Sequence, residues 1–122
     1  MRSKRLLIVD DDDNILDLLR YHLSEFEDIQ TASCGAAAIR MARERRPDLI
    51  LLDVQMPDLD GFATCQALRS DTELTDVPII FLTARQDSRT IVKCFKVGGN
   101  DFIAKPVNPA VLLQSVQSHL QV

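Results

Sequence analysis

The chain has 122 residues, 46% of them hydrophobic, which is enough for one compact domain with a buried core and too short for two. Its 18 acidic residues outnumber 14 basic ones for a net charge of -4, which argues against the basic stripe a nucleic-acid-binding face needs. Three scattered cysteines (Cys34, Cys65, Cys94), with no CxxC pair and no histidine at metal-ligand spacing, read as reduced thiols of a cytoplasmic protein.

The N-terminal MRSKRLLIVD is too short in apolar residues for a signal-peptide core, and no later run approaches a membrane span. Arg5 to Asp10 contains LLIV, a strand of the doubly buried kind that ends in acid. From Ile15 to Phe26, Leu16, Leu19, Leu23 and Phe26 repeat as one helix face; Asp12 or Asp13 caps it. Ile29 to Ala32 is a short strand. Gly35 to Arg46 is a helix stopped by Pro47, and its alanines predict close packing. The basic residues Arg40, Arg43, Arg45 and Arg46, interrupted by Glu44, read as a solvated face.

Leu49 to Leu52 form an uninterrupted aliphatic run that delivers Asp53 to a strand end, followed by a loop to Gly61. Phe62 to Arg69 reads as a helix, Val77 to Thr83 as a strand, and Ser88 to Val97 as a helix stopped by Gly98-Gly99. Phe102 to Ala104 is a short strand. Asn108 caps a last helix with Leu112, Val116 and Leu120 inward.

Strict β-α alternation, five times over, predicts a doubly wound parallel sheet of flavodoxin-like order 2-1-3-4-5, one domain over residues 1–122. That order brings Asp10, Asp11, Asp53, Thr83 and Lys105 to one edge. Two carboxylates ~4 Å apart repel by on the order of 4 kcal/mol at an effective dielectric near 20, so this group calls for a cation. Mg²⁺ (or Mn²⁺) suits hard oxygen ligands that also meet a phosphate. Asp53 then becomes a nucleophile for phosphoryl transfer, forming an acyl phosphate, with Lys105 and the Thr83 hydroxyl on the phosphate oxygens.

Taken singly, Thr83 could merely end a strand and Lys105 could be a surface lysine. A calcium loop over Asp10, Asp12 and Asn14 fails because Ile15 replaces its glycine and Tyr21 its closing glutamate. His22 and His119 lie far from the edge, and without GxGxxG or a Walker loop no nucleotide site is expected.

The strings LLIVDDDDNI, DLILLDVQMPDLDG, VPIIFLTAR and GGNDFIAKP, in this order and spacing, resemble the receiver domain of two-component response regulators over essentially the whole chain. The resemblance implies Asp53 as phosphoacceptor, Asp10 and Asp11 as the acidic pair with Asp11 the more direct metal ligand, and the Gln55 backbone carbonyl as a further ligand. It implies contacts from Thr83 and Lys105 to the phosphoryl group and a cis Lys105-Pro106 bond. Thr83 and Phe102 would be the switch residues that alter the surface of helix 4, strand 5 and helix 5, and Gln55 and Arg85 would tune the phosphate lifetime.

The implied partners are a sensor histidine kinase or histidine phosphotransfer protein, and an effector domain in cis or effector protein in trans. A homodimer through helix 4, strand 5 and helix 5 fits the same picture. Turnover of an external substrate, nucleic-acid binding and membrane association are not implied. The ending VQSHLQV resembles receivers that continue into a signalling helix and further domain, which implies a piece of a longer protein. Two alternatives stand beside this reading. One is a Mg²⁺-dependent phosphatase of haloacid-dehalogenase type with Asp10 as nucleophile of a DxD motif, although Asn14 occupies its Thr or Val position. The other is a degenerate receiver that works only as a protein-interaction module.

Overall fold

The computed structural model describes residues 3–121. Its elements run β1 (Arg5–Val9), α1 (Asp13–His22), β2 (Asp28–Ala32), α2 (Gly35–Glu44), β3 (Leu49–Asp53) and α3 (Gly61–Arg69). After a 3₁₀ turn at Thr72–Leu74 come β4 (Ile79–Thr83), α4 (Ser88–Lys96), β5 (Asp101–Ala104) and α5 (Pro109–Leu120). All strand pairs are parallel, in the order β2-β1-β3-β4-β5, as the alternation of elements predicts.

The period of two within each strand divides the core between two layers. Leu7, Val9, Ile50, Leu52, Ile79 and Phe81 pack with Ala38, Ala42, Cys65, Leu68 and Cys94, so α2, α3 and α4 cover one face. Leu6, Ile8, Leu49, Leu51, Ile80 and Leu82 pack with Leu16, Leu19, Leu112, Val116 and Leu120, so α1 and α5 cover the other. Every residue of β3 and β4 is buried, which is why both strands read as continuous apolar runs.

Helix boundaries follow local chemistry. Asp12 is the α1 cap, its side chain accepting from the Asn14 amide at 2.9 Å, which leaves Asp13 as the first helical residue. The helix stops sooner than the apolar repeat predicts: Leu23 closes it, and Phe26 returns to the same core from a turn, its N–H donating to the Leu23 carbonyl. Likewise α2 ends at Glu44, before the extended Arg45; Pro47 biases Arg46, the residue before it, out of the helical region. Three of the exposed arginines near that end reach beyond their own helix: Arg43 to Asp71 at 3.3 Å, Arg45 to Asp28 at 2.6 Å and the Arg46 side chain to the Glu73 carbonyl at 2.9 Å. Arg40 pairs with Glu44. This face is solvated, and every arginine on it has an acceptor.

Candidate phosphoryl-transfer site

The three central strands and β5 end at one edge, where the strand order reverses between β1 and β3 and a crevice opens. Asp53 is the last residue of β3 and is buried, as is Asp10 just beyond β1, whereas Asp11 is exposed. One ligand oxygen from each of the three lies within 4.8 Å of the others. Lys105 follows β5, tied to β4 by its N–H to the Thr83 carbonyl at 2.8 Å. Its ammonium donates to Asp10 Oδ2 at 2.9 Å and to Asp53 Oδ1 at 3.1 Å. The other Asp10 oxygen accepts from the Asp12 amide at 3.0 Å. The Lys105-Pro106 bond is cis, as the resemblance implies.

The loop after Asp53 folds back tightly. A Cβ on Gly61 would collide with the Asp53 carbonyl oxygen and approach the Val54 Cα to 2.8 Å. The Gly61 N–H instead donates to the Val54 carbonyl at 2.8 Å. Glycine is required here because backbone meets backbone. Asp58 takes a left-handed conformation at φ 65 within the same loop, and Asp60 caps α3 through the Ala63 amide at 2.8 Å.

Electrostatically the site is short of positive charge. Burial, then the charge of Asp10, pushes the Asp53 carboxyl up to about 6, while Lys105 and the Gln55 backbone amide pull the other way. Burial opposes the charge on Lys105, but its bonds to Asp10 and Asp53 overcome this and hold its ammonium above the ordinary range. One ammonium faces three carboxyl groups. The donor set is all hard oxygen, so the residues present fit a small divalent cation.

The remaining predicted residues sit around this centre in different ways. Gln55 and Arg85 line a cleft of about 540 Å³ beside it, together with Asp11, Met56, Phe62, Thr90 and Lys93. Arg85 is exposed and pairs with Asp87 at 3.3 Å. The Thr83 hydroxyl is engaged in a closed ring, donating to the Arg85 carbonyl at 2.8 Å and accepting from the Arg85 amide at 2.9 Å. Phe102 is half-buried and meets Phe95 edge-to-face, ring centroids 6.4 Å apart. His22 and His119 lie away from this edge; His119 pairs with Asp101 at 3.2 Å.

Three wall residues escape the sequence reading: Thr90 and Lys93 of α4, and Phe62 of α3. Lys93 lies over the Phe62 ring at 4.8 Å, and Thr90 is held by the capping Asp87, its hydroxyl donating at 2.9 Å. Their i, i+3 spacing puts them on one side of α4, but which element that side meets is a tertiary fact. The geometry does not favour the DxD phosphatase alternative: Asp12 is exposed and one of its carboxylate oxygens caps α1 rather than joining Asp10.

A parallel sheet of this order, with carboxylates, a hydroxyl and a lysine at its C-terminal edge, defines a flavodoxin-like α/β domain with an acidic strand-end pocket. Residues 6–117 match the family described as the response regulator receiver domain, and the chain belongs to that family. It is 36% identical over 95% of its length to the response regulator PleD of Caulobacter vibrioides, covering 26% of that protein. It is 37% identical over 98% of its length to the alkaline phosphatase synthesis transcriptional regulatory protein PhoP of Bacillus subtilis, covering 49% of it. The chain thus spans about half or less of these relatives. A crystal structure of a response regulator from Chloroflexus aurantiacus superposes with a TM-score of 0.93 at 32% identity, covering 99% of this chain and 100% of that one. Neither the phosphatase nor the degenerate-module alternative is favoured by these relationships. No helix among the described residues is long and apolar enough to cross a membrane.

Proposed function

We propose that this receiver domain is switched by phosphorylation of Asp53, which takes a phosphoryl group from a phosphohistidine on a sensor histidine kinase or histidine phosphotransfer protein. The observation that carries this reading is the Lys105 ammonium bonded to both Asp10 and Asp53 at the mouth of β3. A carboxylate oxygen of Asp53 attacks phosphorus, the P–N bond to the donor imidazole breaks, and that nitrogen keeps the electron pair and takes up a proton. Lys105 and Thr83 contact the phosphoryl oxygens. Asp10, Asp11, Asp53 and the Gln55 backbone carbonyl would hold Mg²⁺ or Mn²⁺, which supplies charge neutralisation between the carboxylates and the phosphoryl oxygens.

For Thr83 to serve, its hydroxyl must leave the Arg85 backbone; the space it vacates admits Phe102, and the surface of α4, β5 and α5 changes with it. Gln55 and Arg85, on the cleft wall, govern water access and the lifetime of the acyl phosphate. The domain acts on itself and turns over no external substrate. Its output passes to an effector domain in cis or an effector protein in trans. PhoP is named a transcriptional regulatory protein and is about twice as long as this chain, which supports an arrangement in cis.

The test is incubation with acetyl phosphate and Mg²⁺, followed by borohydride trapping and peptide mass mapping. Label at Asp53, absent in Asp53→Asn and without the metal, is expected. Label on Asp10, or label surviving in Asp53→Asn, would overturn the proposal.

A further inference from the structure

Between α4 and α3 runs a groove of about 760 Å³, lined by Gln66, Ser88, Arg89, Val92, Lys93, Lys96 and Val97. Its charge is one-sided. Arg89, Lys93 and Lys96 stand at i, i+4 and i+7, all exposed, on a helix with no acidic residue of its own. None of the three has a carboxylate within ion-pair distance among the described residues, whereas the arginines of α2 and the two that follow it all have acceptors. Lys93 instead rests on the Phe62 ring. A protein of net charge -4 thus leaves one row of cations unneutralised beside an apolar strip in which Val92 is 54% exposed.

We infer that this α3–α4 groove docks an acidic, amphipathic helical segment of a partner protein. Arg89 to Lys96 spans about 10 Å along the helix axis at ~1.5 Å per residue, too far for one small anion to meet all three cations. A helix laid alongside presents carboxylates at the same i, i+4, i+7 repeat and apolar residues between them for Val92 and Val97. Nucleic acid fits less well: three cations neutralise few phosphates, and the acidic remainder of the chain repels a polyanion at long range. Because Lys93 also lines the cleft beside Asp53, an occupant of the groove would touch the wall of the phosphorylation site without entering it. The groove itself does not depend on the phosphorylation reading.

The experiment is selection of a displayed library of amphipathic helical peptides on the wild-type chain, counter-selected on the Arg89→Glu, Lys96→Glu double variant. Lys93 is left intact because it walls both cavities. Enriched peptides should carry carboxylates at i, i+4 and i+7 beside apolar residues. They should bind the double variant at least about ten-fold more weakly at roughly 0.15 M salt and shift the amide resonances of α4 and Gln66. The variant should retain the wild-type melting temperature and acetyl-phosphate labelling. Four results would overturn the inference: no enrichment over the variant, enrichment of neutral or basic peptides, equal affinity for the variant, or resonance shifts confined to α1 or α5. So would tighter binding of a duplex DNA oligonucleotide than of any peptide, or a self-association lost in the variant.

Discussion

At the scale of single residues, Asp53 carries two opposed demands. Burial and the charge of Asp10 push its carboxyl up to about 6 in the folded chain from an ordinary 3.8, so between those values the native state binds a proton the unfolded state has released. Stability contributed by this group therefore falls as pH rises through that window, and the full penalty persists above it. At ~1.36 kcal/mol per unit the penalty is about 2 to 3 kcal/mol. In metal-free buffer Asp53→Asn should raise the unfolding free energy near pH ~7 by that order and flatten its slope between pH ~4 and ~6, as read by urea titration. A loss of stability would mean that the bond to Lys105 outweighs burial. Gln55 and Arg85 belong to the same scale. If they govern water access, Gln55→Ala and Arg85→Ala should each change the decay rate of the acyl phosphate about five-fold, equivalent to ~1 kcal/mol in the barrier, while labelling still proceeds. Unchanged decay in both would refute that role.

At the scale of elements, the arginine that ends α3 ties several of them together. The Arg69 side chain donates to the carbonyls of Gly98 at 2.9 Å, Leu74 at 2.9 Å and Val77 at 2.7 Å, and to Asn100 Oδ1 at 2.8 Å. It thereby joins α3 to the 3₁₀ turn, the start of β4 and the loop into β5. Arg69→Ala should cost about 3 kcal/mol in urea unfolding, since it strands several acceptors at once. Arg69→Lys should recover little of it, because an ammonium lacks the planar fork. Arg40→Ala, which removes only an exposed pair with Glu44, should change stability by less than about 0.5 kcal/mol. None of this was legible in the sequence, where Arg69 is simply the last residue of a helix. The strands β1, β3 and β4 were legible because burial on both faces leaves an unbroken aliphatic run. The 3₁₀ turn at Thr72–Leu74 was not, since within SDTELTD only Leu74 is apolar and its burial depends on what folds over it. The acidic pair, Asp53 and Lys105 could be placed at one edge from strand order alone. The direction of the Thr83 hydroxyl could not, because a rotamer answers to its neighbours and not to its position in the chain.

At the scale of the molecule, the strand order predicts where a signal at Asp53 travels. Thr83 and Phe102 lie on β4 and β5, at the end of the sheet that α4 contacts and that α5 meets through Ser115 and His119 on Asp101, whereas α2 packs on β1 and β2 towards the opposite edge. Phosphorylation should therefore change amide hydrogen exchange in α4, β5 and α5 and leave β2 and α2 close to their unmodified rates, as read by mass spectrometry. Equal change throughout would point to global loosening instead of a switch. The closed ring between Thr83 and the Arg85 backbone then bears on how quiet the unmodified domain is. If Thr83 is the switch, its hydroxyl must give up two hydrogen bonds before gaining one to move towards Asp53, and the unlabelled chain would then resist the active arrangement instead of drifting into it. Each ~1.4 kcal/mol of such resistance lowers background signalling ten-fold. The threonine that would report the phosphoryl group would thus also set the noise floor against which it is heard.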